Sequence, residues 1–259
     1  MSTTRRIRAA AALLHRLTLH VDAIEDELDA LPQLIGAGST CLDVGAKHGA
    51  YTLTMADAAG PSGRVVAFEP LPGPRRVIRS GRRLLGGRGI TLVPAAVADG
   101  PGHGTIGLPV RRGIPVPGRA FLTSRADGLG SNAGWRHRTL DVELVSLDGW
   151  CYAHGITDVD VIKVDVEGAE QHVIDGAARL LERSRPTLLL ELEDRHLDRF
   201  GTTAAAIVRG LVARGYRAAV LARGRWRAVD APSTTIRNHL FWHPDGRHAA
   251  AMRAQVGSV

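Results

Sequence analysis

The apolar run Cys41-Leu42-Asp43-Val44 passes directly into Gly45-Ala46-Lys47-His48-Gly49 and then into Ala50-Tyr51-Thr52-Leu53. That order predicts a buried strand, a tight glycine loop and the first turn of a helix. A second apolar segment, Arg64-Val65-Val66-Ala67-Phe68, ends in Glu69-Pro70. The loop after such a first strand can hold the charged part of a nucleoside cofactor. An acid at the end of the next strand can grip ribose hydroxyls. This pairing constrains the rest of the chain more than any other feature.

From residue 40 onward the pattern alternates between strand and helix. Strands are expected at 40–44, 64–68, 90–93, 159–165, 187–192, 217–222 and 237–242, and helices at 50–58, 73–85, 147–154, 170–182 and 203–214. The nearly continuous apolar character of 40–44, 64–68 and 159–165 fits a parallel sheet covered on both faces. Gly224-Arg225-Trp226 lies between the last two strands and reads as the turn of a hairpin or a longer excursion. Residues 100–140 break the rhythm with Gly and Pro. They read as a β-rich insertion between the third and fourth sheet strands, with short antiparallel strands at 104–110, 120–123 and 139–145, in the manner of a binding loop or lid. Residues 1–35 are expected to be a helical extension, with an amphipathic helix over 5–31 ended by Pro32 and Gly36. Residues 36–245 form the main domain and 246–259 a flexible tail.

The formal net charge is +7, which invites a nucleic-acid reading. However, 31 of the 33 basic residues are Arg, Asn occurs only twice, and the Arg residues are spread without a run of like charge. The skew resembles GC-rich codon usage more than a selected basic face. Both lysines, Lys47 and Lys163, fall inside the two segments that look most like sites. Cys41 and Cys151 make no disulfide framework. No stretch reaches the length of a membrane span, and the basic start lacks a cleavage-like site, so a cytoplasmic protein is expected.

The loop Gly45–Gly49 has neither the G-x-G-x-x-G spacing of dinucleotide folds nor a phosphate-loop pattern. The cofactor left by that comparison has an amino acid at its charged end and a nucleoside at the other, as S-adenosylmethionine does. Asp43-Val44-Gly45-Ala46, Val65-Val66-Ala67-Phe68-Glu69-Pro70 and Asp160-Val161-Ile162-Lys163-Val164-Asp165-Val166-Glu167-Gly168-Ala169-Glu170 together resemble the signature of the FkbM family of S-adenosylmethionine-dependent methyltransferases. The resemblance covers about residues 40–195 and, more loosely, Asn238-His239-Leu240-Phe241. It implies an α/β, class I (Rossmann-like) methyltransferase fold: a seven-stranded, mostly parallel sheet flanked by helices, with one antiparallel strand near the edge. It also implies a cofactor-binding set of Asp43, Gly45, Ala46, Lys47, Gly49, Tyr51, Glu69, Asp99 and Asp165. Asp43, Gly45, Ala46 and Gly49 would line the methionine end, Glu69 would accept both ribose hydroxyls, and Asp99 would meet the adenine amine. Where the resemblance leads one to expect Asn, this chain has Lys47.

Methyl transfer to an alcohol needs a base, because a protonated hydroxyl is a poor nucleophile. Period two puts Lys163, Asp165 and Glu167 on one side of their strand, and Glu191 and Glu193 on one side of the next. Asp165, Glu167 and His137 are the catalytic candidates. Lys163 is expected to be a buried ion-pair member held by an acid such as Glu191. The carboxylates could also hold Mg²⁺, although no metal site is the favoured expectation. His48, His103 and His196 are further histidine candidates for the base. Trp135, Phe121 and Asn132 suit a pocket for a natural product or sugar.

The resemblance thus implies O-methylation of a hydroxyl on a small molecule of secondary metabolism. N-methylation on the same scaffold, a degenerate methyltransferase-like binding protein and a nucleic-acid methyltransferase are the alternatives. No aromatic platform interleaved with basic residues supports the last. A homodimer is a possible assembly.

Overall fold

The computed structural model describes residues 26–84, 89–128 and 135–257. Most of the expected first helix and Asn132 lie outside the described residues. The strands are β1 Thr40–Val44, β2 Arg64–Phe68, β3 Ile90–Val93, β4 Ala95–Val97, β5 Gly102–Arg111, β6 Ile114–Pro115 and β7 Phe121–Leu122. They continue as β8 Arg136–Val145, β9 Val161–Val164, β10 Thr187–Glu191, β11 Arg217–Ala222, β12 Arg225–Val229, β13 Asn238–Trp242 and β14 Val256–Gly257.

The main sheet runs β14-β12-β11-β13-β10-β9-β1-β2-β3. Strands β1, β2, β3, β9 and β10 are mutually parallel. Strand β13 lies antiparallel between β10 and β11. The expected count of seven is corrected to nine. Seven are the strands read from sequence, and the extra two are β12 and β14. Strand β12 folds back on β11 with Ala222 opposite Arg225. Arg223 and Gly224 both take positive φ, the backbone that a two-residue hairpin turn requires.

Strict side-chain alternation divides the core between the two faces of this sheet. Leu42, Val44, Val66, Phe68, Ile162, Val164, Leu188 and Leu190 pack on one side. Cys41, Val65, Val161 and Leu189 pack on the other, with Leu31, Leu34, Tyr51 and Met55. Both cysteines are free and buried.

Three further expectations change. The single helix at 170–182 is two, Glu170–Asp175 and Ala178–Arg183. A Cβ on Gly176 would stand 2.1 Å from the Ala98 carbonyl oxygen, so the chain breaks where the segment just after β4 passes close by. The second helix starts on a remote cap: Asp148 accepts the N–H groups of Arg179 at 2.9 Å and Leu180 at 3.0 Å. The tail is also not a separate flexible segment through residue 257. Helix Ala249–Gln255 packs Met252 fully into the core, and β14 pairs with β12.

The insertion is a second sheet of five strands, in which β4 runs parallel to β8 and β5 antiparallel to β6, β7 and β8. It has its own apolar cluster, Ile106, Leu122, Val142 and Leu144, closed by Leu71 and Ala98 from the main domain.

Candidate active site at the switch in strand order

The chain leaves β1 toward β2 and β3 in one direction and later returns to place β9 and β10 on the other side. The crevice at the carboxyl ends of β1 and β9 is therefore the switch point where open α/β sheets bind ligands. A cleft of about 570 Å³ opens there. Gly45, Lys47, Glu69, Asp165 and Glu167 line it from the main domain, and Ile106, Pro117, Ala120, Phe121 and Leu122 line it from the insertion.

The two loops touch at Gly45. Its φ is +75°, and a Cβ would fall 1.9 Å from the Asp165 carbonyl oxygen. Only glycine lets the backbones approach this closely. Gly49, at φ +87°, opens helix Ala50–Ala59, and a Cβ there would press on Ile78 at 2.8 Å.

Glu69 is buried, and backbone holds both of its carboxylate oxygens. The Lys47 N–H donates to Oε2 and the Leu71 N–H to Oε1, each at 2.8 Å. Burial pushes its carboxyl up to about 7. Arg75 clamps the same turn from outside, donating to the carbonyl oxygens of Glu69 and Pro70.

Asp165 is the centre of charge. Its Oδ2 lies 2.8 Å from Lys163 Nζ and its Oδ1 lies 2.9 Å from Lys47 Nζ. Although burial opposes it, these ammonium groups hold the carboxyl well below the usual range. Glu191 shows the complementary effect. Burial and then the Asp165 charge push its carboxyl up to about 10, so it stands protonated beside Asp165. Lys163 is thus the expected buried ion-pair member, and an acid that holds it is Asp165. Lys163 also lies 4.6 Å over the Tyr51 ring, and in the sheet register it sits beside Asp43.

Glu167 sits at φ +57° and reaches Lys47 Nζ with Oε1 at 3.1 Å and His196 Nδ1 with Oε2 at 3.1 Å. Burial raises its carboxyl and lowers His196 to about 4, so the imidazole is neutral at pH 7. Glu170 is a staple of the same turn. It accepts the N–H groups of Val166 and Gly168, each at 3.2 Å.

The structure gathers Gly45, Lys47, Glu69, Asp165 and Glu167 at the cleft, with Ala46 and Gly49 buried in the adjoining loop. Asp43 lies below the loop, fully buried, accepting from Thr52 Oγ1 at 2.5 Å, with Oδ1 unpartnered. Tyr51 packs into the core under Lys163 and does not line the cleft. Asp99 lies away from the lining and pairs with Arg125 at 2.9 Å. His137 also stands off the lining, with its ring 6.4 Å from Phe121. His48 is half-buried in its loop, and His103 is exposed. Among the described residues no group of three His, Cys, Asp or Glu side chains is arranged to hold a metal ion.

Sequence reasoning missed Arg199. Its buried guanidinium donates to the Glu167 carbonyl oxygen at 2.8 Å and covers the Phe121 ring at 4.1 Å. It ties the insertion to the turn after β9, and no periodicity in the loop after β10 marks it. The pairing of His196 with Glu167 is likewise invisible in their spacing.

A family model described as the Methyltransferase FkbM domain matches residues 43–218. No curated protein matches the chain. Among solved structures, cofactor-bound Rv0187 from MTB is 15% identical at a TM-score of 0.53, with 92% of this chain and 89% of that one covered. The O-methyltransferase TomG from Streptomyces achromogenes, involved in tomaymycin synthesis and solved with S-adenosylmethionine, is 13% identical at a TM-score of 0.50, covering 92% and 89%. At these identities the likeness is one of fold. A methyltransferase FkbM from Methylobacillus flagellatus KT is 14% identical at a TM-score of 0.49, and 80% of this chain spans 44% of that protein, less than half its length.

Proposed function

The chain belongs to the FkbM methyltransferase family, and from its cleft we propose that it transfers a methyl group from S-adenosylmethionine to a hydroxyl oxygen of a small molecule such as a natural product or sugar. The observation that carries this reading is Glu69. Two backbone N–H groups aim its carboxylate at the cleft wall, and each oxygen keeps lone-pair capacity for one ribose hydroxyl. The unpartnered Asp43 Oδ1 behind the loop adds a buried acceptor. The residues present therefore fit the cofactor, with Glu69 at the ribose and the Gly45–Gly49 loop at the amino-acid end.

When bound, S-adenosylmethionine supplies an electrophilic methyl carbon on a sulfonium sulfur. The chain's residues supply alignment and proton removal. Asp165 is too strongly ionised by Lys163 and Lys47 to be an effective base, so it contributes fixed negative charge. Glu167, raised by burial and open to the cleft, takes the acceptor's hydroxyl proton on its carboxylate while Lys47 and His196 hold it in place. Mg²⁺ is not part of this reading, since the Lys47 ammonium already lies against both Asp165 and Glu167.

Calorimetric titration with S-adenosylhomocysteine tests the cofactor half. Binding in the micromolar range, weakened about tenfold or more by Glu69→Ala, is expected. A folded wild-type protein that does not bind would sink the reading. Mass-spectrometric screening of hydroxylated acceptors with Glu167→Gln as control tests the other half. Turnover unchanged in that variant would remove Glu167 from the base role.

A further inference from the structure

The positive charge of the chain is not evenly placed in three dimensions. Residues 111–138 hold six Arg and a single acid, Asp127, within a chain whose net charge is +7. Of those six, Arg125 pairs with Asp99. Arg111, Arg112, Arg119, Arg136 and Arg138 are exposed and make no ion pair among the described residues. Two of them share one aromatic ring: the guanidinium carbons of Arg119 and Arg111 lie 5.2 and 5.9 Å from the Trp135 ring centroid. Two like charges over one ring, neither ion-paired among the described residues, leave a repulsion that a bound anion would relieve.

This cluster is joined to the cleft. Residues directly opposite in an antiparallel ladder share a face. Phe121 is opposite Gly107, and His137 is opposite Pro109, two residues along β5. Phe121, His137 and Arg111 therefore lie on one face of the insertion sheet. Phe121 lines the cleft, as do Pro117 and Ala120, which flank Arg119 in sequence. Between the two ends stands His137, whose Nε2 is buried without a partner. A strip thus runs from an apolar cleft wall, past an unsatisfied imidazole nitrogen, to an aromatic ring under two free guanidinium groups.

We propose that this strip is the acceptor subsite and that it takes an anionic group, a phosphate or phosphate-like oxyanion carried by the methyl acceptor at the end remote from its reacting hydroxyl. Arg111 and Arg119 donate paired N–H groups to the oxyanion, Trp135 offers a flat face to the body of the acceptor, and His137 Nε2 makes a hydrogen bond along the way. The inference rests on the methyltransferase reading, whose acceptor class it narrows. A polynucleotide would also meet a basic aromatic surface, but the single ring and its link to an enclosed cleft favour a small molecule.

Titrations of the full chain with phenyl phosphate, phenol and a single-stranded oligouridylate, followed by tryptophan fluorescence at about 0.1 M salt, test it. The variants are Arg111→Gln/Arg119→Gln and, as control, Arg225→Gln/Arg227→Gln on the exposed side of β12. Phenyl phosphate is expected to bind saturably and phenol not at all. The Arg111/Arg119 pair is expected to lose about tenfold or more in phosphate affinity, with S-adenosylhomocysteine affinity and the control pair unchanged. No saturable phosphate binding, or equal binding by the Arg111/Arg119 variant, overturns the proposal. So does oligouridylate binding that is tighter than phenyl phosphate and lost in the same variant, since the face would then serve a polynucleotide. Failure of S-adenosylhomocysteine alone would strike the methyltransferase reading and leave the phosphate result standing.

Discussion

Lys47 Nζ stands 2.9 Å from Asp165 Oδ1, so the lysine found where the family resemblance led one to expect Asn ties the loop after β1 to the turn after β9. An ammonium beside a sulfonium cofactor would be repelled if left free. Here Asp165 and Glu167 both neutralise it. Its backbone N–H, not its side chain, anchors Glu69, so the two roles are separable by mutation.

Lys47→Asn is expected to cost little. Its side chain is about one-third exposed, which screens the ion pairs, and Asn tolerates the φ of +47° better than Lys. Lys163 is fully buried against Asp165, and Lys163→Ala would strip one oxygen of that buried carboxylate of its ammonium, leaving Lys47 at the other. We expect a loss of about 3–5 kcal/mol for Lys163→Ala and under about 1 kcal/mol for Lys47→Asn in urea denaturation. The reverse ranking would refute this account of the cluster.

Gly45→Ala combines a positive φ with a Cβ 1.9 Å from the Asp165 carbonyl oxygen. Gly60→Ala has φ +70° and nothing within 4 Å. The second should cost only the backbone penalty of a glycine-only conformation (φ 70°, ψ −170°), about 1–3 kcal/mol. The first should unfold the protein or shift the whole Asp165 turn. Comparable denaturation midpoints would show that the two loops are less closely opposed than described.

Glu170 carries a pH dependence. Burial raises its carboxyl from about 4.5 to about 7, so across that range the folded state keeps a proton that the unfolded chain has released. Stability is therefore greatest below the window and falls as pH rises through it. Glu69, also raised to about 7, contributes with the same sign. Glu170→Gln keeps an oxygen for the N–H groups of Val166 and Gly168 and removes the titration. The stability difference between pH 5 and pH 8 should shrink by about 2–3 kcal/mol. An unchanged slope would mean that Glu170 ionises normally.

Met252→Ala should behave as a core truncation and cost about 2–5 kcal/mol, because its side chain is fully buried with Leu34 and Trp226. A thermal midpoint equal to that of wild type would restore the view of residues 246–259 as a free tail.

Most of the main sheet was legible. Strands β1, β2, β3 and β11 fall on the expected residues because each is an apolar run bounded by turn formers. The Gly45 loop and the Asp165–Glu170 turn were legible for a related reason: they carry residue types that only a close backbone approach and a ligand-facing turn require. The break at Gly176 was not, since its cause is a carbonyl oxygen of Ala98 far away in sequence. Nor were β12, a short return through the Arg223-Gly224 hairpin, and β14, whose edge pairing follows the packing of the last helix. The role of the arginines in the insertion was hidden as well. They are dispersed along the chain, and only the β5–β8 ladder brings Arg111, Arg119 and Trp135 together.

By itself, the sequence determined the order of seven of the main-sheet strands, the family and the segments that border the cleft, because periodicity, glycine placement and motif spacing are local properties of the chain. Tertiary structure decided which charges meet. Lys163 pairs with Asp165, Glu167 stands between Lys47 and His196, and Arg199 bridges the insertion to the Asp165–Glu170 turn. Electrostatic partnership and burial depend on distances of a few ångströms between loops remote in sequence, and those distances exist only once the sheet has brought the ends of β1, β9 and β10 to one edge.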